Sequence, residues 1–500
     1  MVHLASRLLR MDAKRDGLSE TVYNDRLHPE RWFNPDDCAP CTCPVSLRRH
    51  YVSGGVPVEY GKTRHELCIW PRLNESRDRI LPQMDLDRST DELYWIYAPG
   101  LAAAKAANES YANGDCPVNN CRVSRSNIAK ADLILLHDFD LSLFQTVRRL
   151  KGLEPPGGYP KRLSAESPIV VWHMLESPSN RGDFSYLNDI INWTATYRRD
   201  SVISTPYERF TFYKHFSGRL PAPERNFAAN KTKKAAAFIS NCRGSNGRLD
   251  YARELGRYID VDVYGSCGPL NCPRNRIEPD PCYEKLRNEY KFYLAFENSN
   301  CRHYITEKFF WNALLKHPAL LEKSVVCKPS EQHTMTSYTP TDTRQKELDD
   351  ALVNYIAGDL LALSTVDRND VIPIVMGAPP EDYDMIAPPG SYIHVDHFET
   401  PKHLATYLHR LDLNDDLYNE YFRWKGSGSY INTKFWCRLC SLLNESKLTG
   451  AKVWYSNLHK WWQGAGVCIQ RGNKTWASWN DNPRQYGYVD TDTLHVELET

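Results

Sequence analysis

The sequence lacks an excess of charge of either sign, because Lys plus Arg and Asp plus Glu both number 62 in 500 residues. This balance gives no global signal for binding to nucleic acid, so any anion site must be local. The chain also lacks an apolar run of about 18 residues, the length that a membrane-spanning helix needs. Its first 20 residues contain no apolar segment of the kind found in signal peptides.

The chain is rich in cysteine and in N-glycosylation sequons. Its 15 cysteines are many for a cytosolic protein, and together with the sequons they favour an oxidising, glycosylating lumen. Zinc is an alternative for the cluster at 38–43 and for the Cys437-x-x-Cys440 pair. These groups lie far apart in the chain, so disulfides are favoured. The sequons are at Asn74, Asn108, Asn192, Asn230, Asn444 and Asn473.

From Glu92 onward, apolar runs typical of buried strands alternate with helical patterns, as in Rossmann-like α/β domains. The segment 220–234 is rich in Lys, Asn and Pro and is typical of a linker. We therefore predict five regions. They are a stem at 1–84, a first Rossmann-like domain at 85–219, the linker at 220–234, a second Rossmann-like domain at 235–443 and a Cys/Trp-rich tail at 444–500.

The stretch 291–316 is the most informative part of the sequence. Residues 291–296 form an apolar run that predicts a buried strand, and Glu297 and Asn298 follow at its carboxyl end, where open α/β sheets bind ligands. Thr306 is a candidate helix cap. Tyr304, Glu307 and Lys308 stand at i, i+3 and i+4, so we expect one helical turn to bring them to a common side. Alternatively, Glu307 and Lys308 are only a solvated pair at a helix start.

Two further residues follow predicted strands. Glu176 ends the apolar run SPIVVWHM, where partial desolvation would suit a carboxylate to act as a general base. Alternatively, it is an exposed turn residue. Arg248 opens a predicted helix after the SNCRGSNG loop, where its guanidinium is placed to bind a pyrophosphate. The alternative is an ordinary ion pair with a nearby acid.

Other polar residues carry weaker signals. Asp138 and Asp140 form a DxD that would suit a metal-bound sugar nucleotide, or they only begin a loop or helix. Arg198 and Arg199 either order an interdomain cleft or are surface charge.

The motifs FYLAFENS, YITEKFF and NALL resemble the donor-binding signature of the α1,3-fucosyltransferases, which use GDP-fucose. WHMLESPSN, TYRRDSV and SNCRGSNGR resemble further segments of that family. His303 and Val202 stand where the family usually has acidic residues. The resemblance covers roughly 85–316 and 370–500, and it implies a GT-B fold with two Rossmann-like domains facing a cleft.

The resemblance also implies roles for the candidate residues. Glu176 would be the catalytic base, and Arg248 and Lys308 would hold the pyrophosphate, so that no metal ion is strictly required, although a divalent ion could stimulate the reaction. Glu307 would contact donor hydroxyls or support charge at the anomeric carbon, and Tyr304 would pack on the nucleotide. Glu297 and Asn298 complete the predicted donor site.

The expected reaction is inverting transfer of L-fucose from GDP-fucose to a GlcNAc of a glycoprotein. The cysteine-rich tail resembles the branch that acts on the innermost GlcNAc of N-glycans, and a Lewis-type enzyme acting on antennae is the alternative. The resembled enzymes are Golgi proteins with one N-terminal membrane helix. We therefore expect a type II Golgi protein whose anchor is absent from this sequence.

Residues 318–369 interrupt the resemblance between the NALL helix and the VIPIVMGA strand. Joining residues 317 and 370 restores a loop of ordinary length, and it removes Cys327 to leave an even number of cysteines. This segment is predicted to be an extra exon, an unspliced intron or a tolerated surface insertion. If it displaces the NALL helix, the protein is an inactive glycan-binding product.

Overall fold

The computed structural model describes most of the chain between residues 79 and 469. The described residues are 79–98, 101–126, 128–137, 147, 168–180, 182–213, 223–272, 281–314, 370–450, 452–464, 466–469 and 494–497. Asp138, Asp140 and the whole segment 318–369 therefore lie outside the described residues.

The first unit is built on a sheet of six parallel strands in the order β2-β1-β3-β4-β5-β6. These strands are mostly buried on both faces, as near-continuous apolar runs such as LILLH and IVVWHM require. The helices of this unit are α1 (Ile80–Met84) and α2 (Leu101–Ala112). The strands are β1 (Tyr94–Tyr97), β2 (Cys121–Ser124), β3 (Leu133–His137), β4 (Ile169–Met174), β5 (Trp193–Thr196) and β6 (Ile203–Ser204).

The second unit is a sheet of five parallel strands in the order β9-β8-β10-β12-β13. Its central strand β10 is buried at every residue. Alternate side chains of β10 enter two different cores, with Phe292 in one and Tyr293 in the other, because successive residues of a strand point to opposite faces. The strands are β8 (Lys233–Phe238), β9 (Val261–Tyr264), β10 (Tyr290–Phe296), β12 (Ile372–Met376) and β13 (Ile393–His394).

Helices connect consecutive strands of the second unit, because neighbouring parallel strands need crossover connections, and two further helices follow its last strand. The helices are α3 (Arg248–Leu255), α4 (Pro281–Glu289), α5 (Glu307–Phe309), α6 (Pro380–Ile386), α7 (Pro401–Asp412) and α8 (Asp415–Asn419). Helix α5 continues as a π-helix over Phe310–Leu314, whose side chains are all buried. The predicted buried strand at 291–296 and the predicted helix that begins at Arg248 are confirmed, and so is the α/β class with two Rossmann-like units.

After the second unit the chain returns to the first. Helix α9 (Phe435–Thr449) is joined to the first unit by the disulfides Cys116–Cys437 and Cys121–Cys440. Its apolar residues share one core with strands β1 to β6. The predicted boundary between residues 443 and 444 falls inside this helix, so the packing corrects that boundary. Both cysteines of the Cys437-x-x-Cys440 pair are therefore in disulfides, as favoured over zinc.

Short two-stranded sheets complete the fold. Strand β7 (Phe210–Phe212) pairs with β14 (Gly428–Tyr430). Strand β11 (Asn300–Cys301) pairs with β16 (Cys468–Ile469), and Cys301 and Cys468 form a disulfide. The remaining elements are β15 (Lys452–Tyr455), α10 (Leu458–Gln463) and β17 (Leu494–Glu497). Among the helices that the structure describes, none is long and apolar enough to cross a membrane.

Four of the sequons lie among the described residues, and one of them, Asn108, is partly buried and hydrogen-bonded to the backbone of Val123. Asn192 and Asn444 are buried and hydrogen-bonded, to Val453 O and to Cys440 O respectively. A buried amide nitrogen is not accessible to glycosylation in the folded protein. Asn230 is exposed in the turn before β8. Asn192 and Asn444 therefore do not support the prediction of a glycosylating compartment.

Candidate active site

Both sheets have the strand order 2-1-3-4-5 when each is numbered from its own first strand. In a sheet of this order, the crossover direction reverses between strands 1 and 3, and ligands bind in the crevice at their carboxyl ends. In the second unit these strands are β8 and β10. Arg248 lies beyond β8, and Glu297 and Asn298 lie directly after β10. The topology therefore brings three predicted site residues to one crevice.

Arg248 is held rigidly at the start of α3. It is 4% exposed, and its Nη1 and Nη2 donate to Phe296 O at 2.8 Å and to Asn241 O at 3.0 Å. Its Nε is also buried and has no hydrogen-bond partner in the described part of the chain. Burial lowers the pKa of Arg248, and nearby acids such as Glu297 offset part of this shift. The guanidinium nevertheless stays charged, as it does in proteins generally. No ion pair with an acid is seen among the described residues, which disfavours that alternative.

Lys308 is the second cation of the crevice and is bound by two carboxylates. Its Nζ lies 2.8 Å from Glu307 Oε1 and 3.2 Å from Glu297 Oε2, and it donates to Thr306 Oγ1 at 2.9 Å. Glu297 is fully buried, and it accepts from the backbone N and the hydroxyl of Thr306 at 2.8 and 2.9 Å. The predicted solvated pair is thus part of a partly buried network that fixes the start of α5.

The electrostatics of this network follow from burial. Burial raises the pKa of Glu297, although Lys308 and Thr306 counter part of the effect. Burial alone would lower the pKa of Lys308, but Glu297 and Glu307 outweigh it and raise that pKa above its usual range. Lys308 is therefore a permanent cation with 18% of its side chain exposed. An anion entering the crevice would meet this charge.

Glu176 reaches the same crevice from the first unit. It follows β4, and its Oε1 accepts hydrogen bonds from Tyr304 Oη at 2.8 Å and from Asn298 Nδ2 at 3.2 Å. The backbone N of Ser177 donates to the same oxygen at 2.8 Å. Glu176 is partly buried. The structure therefore brings Glu176, Asn298 and Tyr304 together across the two units.

The predicted common face of Tyr304, Glu307 and Lys308 is wrong. Helix α5 begins only after its cap Thr306, whose side chain accepts from Lys308 N, so Tyr304 precedes the helix. Tyr304 is 2% exposed and its ring packs 5.0 Å from that of Tyr197. Its hydroxyl contacts Glu176, whereas Glu307 and Lys308 contact each other. Its burial leaves little surface for the predicted packing on a nucleotide.

Three residues of the site were not predicted. Tyr197 supports the ring of Tyr304, and Tyr207 Oη donates to Leu175 O at 3.2 Å, next to Glu176. Asn246 Nδ2 donates to Glu297 O at 2.9 Å and ties the loop before α3 to the loop after β10. Asn246 lies two residues before Arg248 in a Gly/Asn loop, which is the one sequence signal that pointed to it.

Arg198 and Arg199 are not simple surface charges. Arg198 is 3% exposed, pairs with Asp200, donates to Trp461 O and stacks 4.2 Å over the Trp461 ring. Arg199 contacts Met385 of the second unit and lines a cavity that His303 and Asp382 also line. Within the described residues, no group of three or more His, Cys, Asp or Glu side chains is arranged to hold a metal ion.

Two Rossmann-like units that bring polar groups together across a cleft define a GT-B glycosyltransferase. Family models agree with this class. The model "Fucosyltransferase, N-terminal" matches residues 92–208, and "Glycosyltransferase family 10 (fucosyltransferase) C-term" matches 228–343 and 351–461. The chain belongs to glycosyltransferase family 10, the fucosyltransferases, and is an enzyme of this family. The predicted recognition of the α1,3-fucosyltransferases is therefore confirmed.

Curated relatives give the same family. Glycoprotein 3-α-L-fucosyltransferase A of Drosophila melanogaster is 39% identical over 434 residues, which cover 84% of this chain and 72% of that protein. α-(1,3)-Fucosyltransferase 7 of Bos taurus is 30% identical, with 69% of this chain and 79% of that protein covered. A crystal structure of an α1,3-fucosyltransferase with GDP has 13% identity and a TM-score of 0.35, and covers 74% of this chain and 96% of that one.

The family model's matched ranges bear on the atypical segment 318–369. Between residues 228 and 461 they leave out only 344–350. The match thus extends into the segment from both sides, so the predicted interruption of the resemblance over all of 318–369 is wrong. The origin of the segment stays a prediction.

Proposed function

We propose that this enzyme transfers L-fucose from GDP-fucose to the 3-hydroxyl of a GlcNAc on a glycoprotein, with inversion at the anomeric carbon. The single observation that carries the proposal is the contact of Glu176 with Asn298 and Tyr304. It places a carboxylate of the first unit beside the loop that also positions the cation Lys308 of the second unit. A base and an anion site on opposite units are what a one-step transfer across a cleft requires.

Glu176 is proposed as the general base. Its carboxylate takes the proton of the acceptor hydroxyl while that oxygen bonds to the anomeric carbon of fucose. The bond between the anomeric carbon and the GDP oxygen breaks on the opposite face, so the configuration inverts. Tyr304, Asn298 and the backbone of Ser177 all donate to Oε1 of Glu176. They hold the carboxylate in one orientation at the crevice.

Arg248 and Lys308 are proposed to stabilise GDP as negative charge develops on its pyrophosphate. Fixed cations in a partly buried crevice stabilise such charge strongly, because they need no rearrangement during the reaction. The two hydrogen bonds of Arg248 to backbone carbonyls orient its guanidinium, and its Nε has no hydrogen-bond partner among the described residues.

The acids around Lys308 have a different proposed part. Glu297 positions Lys308 through Thr306, since both of its carboxylate oxygens are engaged by those residues. Glu307 is partly exposed, with 36% of its side chain accessible. It is therefore placed to accept from hydroxyls of ribose or fucose, or to support positive charge at the anomeric carbon.

The proposed acceptor is the innermost GlcNAc of N-glycans. Support comes from the relative named glycoprotein 3-α-L-fucosyltransferase A, which matches 84% of this chain. Relatives named 4-galactosyl-N-acetylglucosaminide 3-α-L-fucosyltransferase support the alternative, a Lewis-type acceptor on antennae. The proposed location is the Golgi lumen, where the disulfides of the fold would be maintained.

No metal ion is proposed as a requirement, because Arg248 and Lys308 supply the positive charge that a metal would otherwise bring to the pyrophosphate. Full activity in excess EDTA, or activity only partly reduced, is expected. Complete loss of activity in EDTA that Mn²⁺ restores would instead favour the metal-dependent reading of Asp138 and Asp140.

The decisive test is turnover of GDP-fucose with a panel of N-glycan acceptors that differ in core and antennae. Fucose on the innermost GlcNAc supports the proposal, and fucose only on antennae supports the Lewis-type alternative. Glu176→Gln should lower turnover by about 10²- to 10⁴-fold, whereas the control Glu254→Gln, at a partly exposed position of α3, should not. GDP-fucose binding without turnover of any acceptor, changed by removing 318–369, would favour the inactive alternative.

A further inference from the structure

We propose that Asp382 is a positioning residue for the transfer reaction. It fixes the turn formed by Arg302 and His303, and through this turn it holds Tyr304 against Glu176. This inference rests on the proposed function, in which Glu176 is the base. Asp382 lies in α6, after β12, and the sequence had given no sign of a role for it.

The Asp382 carboxylate makes a dense set of contacts with the turn. It is 1% exposed, and its Oδ1 accepts from Arg302 Nη2 at 2.8 Å. Its Oδ2 accepts from Arg302 Nε at 3.1 Å and from the backbone N of His303 at 2.6 Å. The bidentate pairing with Arg302 and the short backbone contact together fix the turn in direction as well as in position.

The carboxylate is ionised in this environment. Burial opposes ionisation, but His303, Arg302 and the hydrogen bonds that both residues donate hold the pKa of Asp382 below its usual range. A buried carboxylate of this kind is costly unless it is fully paired. The pairing with the turn therefore cannot be lost without a penalty, which makes Asp382 a firm anchor.

The turn needs an anchor because its backbone is strained. His303 has φ of 62°, in the left-handed region that residues with a Cβ seldom adopt. Such a conformation is unfavourable and persists only where surrounding contacts enforce it. The hydrogen bond from His303 N to Asp382 is one such contact. Without it, we expect the turn to relax and the side chain of the next residue, Tyr304, to move.

The segment around the turn is also held at its two ends. Before the turn, Cys301 is bound to Cys468, and after it Thr306 is bound to Glu297. Between these two ends, Asp382 holds Arg302 and His303, the two residues that directly precede Tyr304. Because Glu176 belongs to the first unit and Asp382 to the second, the anchor also sets how the base faces the donor crevice.

The experiment compares Asp382→Asn with the wild-type enzyme in steady-state kinetics and in GDP binding by calorimetry. Asparagine keeps the shape but loses the charge and one acceptor. Because a misplacement of about 1 Å at a reacting group can cost on the order of 10²-fold, kcat should fall at least about tenfold, with GDP affinity within about twofold. Glu381→Gln, on the same helix and exposed, is the matched control and should behave as wild type.

A double-mutant cycle separates positioning from a general structural role. If Asp382 acts through Tyr304, the Asp382→Asn substitution should lower the kcat of the Tyr304→Phe enzyme by a much smaller factor than it lowers the kcat of the wild-type enzyme. Additive losses in kcat, or a kcat of Asp382→Asn within about twofold of wild type, would overturn the inference. Should Asp382→Asn fail to fold, Arg302→Gln takes its place in the same cycle, and the same two outcomes decide.

Glu176→Gln in the same assays distinguishes the two proposals. Near-normal turnover of Glu176→Gln would remove the proposed function and this inference with it. If Glu176→Gln turns over slowly but Asp382→Asn has a normal kcat and shows no coupling to Tyr304→Phe, only the inference about Asp382 is overturned.

Discussion

The hydroxyl of Tyr304 donates a hydrogen bond of 2.8 Å to Oε1 of Glu176, and this contact joins the two units of the enzyme at the candidate active site. Burial raises the pKa of Tyr304 well above its usual value, so the hydroxyl keeps its proton and remains a donor. Tyr197 packs against the ring and limits its movement. The contact therefore gives the carboxylate one preferred orientation.

Tyr304→Phe should lower kcat without weakening the binding of GDP. A hydrogen bond to a charged group is worth about 1.5–3 kcal/mol, which corresponds to a loss of roughly 10- to 100-fold if the bond is needed for the reaction. Losing a donor to the carboxylate also disfavours its charged form. The acidic limb of the pH profile of kcat/KM should therefore move to higher pH, as measured over a pH series.

The control for this prediction is Tyr407→Phe. Tyr407 shares a hydrogen bond with Tyr421 in the second unit, away from Glu176. Loss of this hydrogen bond in Tyr407→Phe should leave the pH profile of kcat/KM unchanged. A Tyr304→Phe enzyme with an unshifted acidic limb and normal kcat would show that the hydroxyl does not act on the base.

Lys308→Met should weaken both GDP binding and the fold. The change removes the cation proposed to face the pyrophosphate, so we expect the Kd for GDP to rise at least about tenfold in calorimetry. It also leaves the fully buried Glu297 without its ion-pair partner. Breaking a buried pair from one side costs about 3–5 kcal/mol, so the unfolding midpoint in urea should fall as well.

Adding Glu297→Gln to Lys308→Met separates the two effects. The neutral amide removes the uncompensated charge, so the midpoint should recover much of its loss, whereas GDP affinity should stay low. If GDP affinity returned together with stability, Lys308 would have only a structural part at this site.

Sequence reasoning located the site residues that directly follow strands. Glu176 and Glu297 come just after apolar runs, and Arg248 opens the helix after β8, so strand recognition and the rule for parallel sheets predicted their positions, whereas their roles came from the family resemblance. Thr306 as a cap was likewise read from its place before a helical pattern, and the structure confirms it.

Contacts between distant segments could not be predicted in this way. Tyr304 is 128 positions from Glu176, and His303 is 79 positions from Asp382. Periodicity predicts faces of helices and strands, but the side of a loop to which a side chain turns depends on tertiary contacts. Tyr304 was therefore assigned to a helical face that begins only after it. The return of α9 to the first unit was missed for the same reason, because disulfide pairing cannot be read from spacing.

Removal of the Cys301–Cys468 disulfide by Ser substitution at both positions should lower kcat as well as stability. Cys301 lies three residues before Tyr304, and the tail also holds this segment through Arg302 N, which donates to Val467 O at 2.8 Å. Loss of a native disulfide typically costs about 2–5 kcal/mol. The turn before Tyr304 should then be less firmly placed, with a kcat reduced severalfold at a temperature where the variant remains folded.

The matched comparison is removal of Cys116–Cys437, which joins α9 to the first unit. It should reduce the unfolding midpoint while leaving kcat nearly unchanged in the folded fraction. Equal losses of kcat in the two double variants would indicate a general loss of folded enzyme in both.

Acid should destabilise the protein partly through His173, which lies in β4 just before Glu176. Burial, with a smaller effect of His137, lowers the pKa of His173 to about 3. The ordinary pKa is about 6.5, so between these values the unfolded chain binds a proton that the folded chain does not. Stability therefore falls as the pH drops below about 6.5, by up to about 1.4 kcal/mol per pH unit from this group.

The measurement is the urea midpoint of the wild type and of His173→Gln between pH 7 and pH 5, with disulfides intact. Glutamine does not titrate, so the midpoint of the variant should depend less steeply on pH, even though it starts lower from imperfect packing. The exposed His409→Gln serves as the control and should keep the wild-type slope. Parallel slopes for wild type and His173→Gln would mean that His173 is protonated in the folded protein too, which its 2% exposure and its place between His137 and Phe435 argue against.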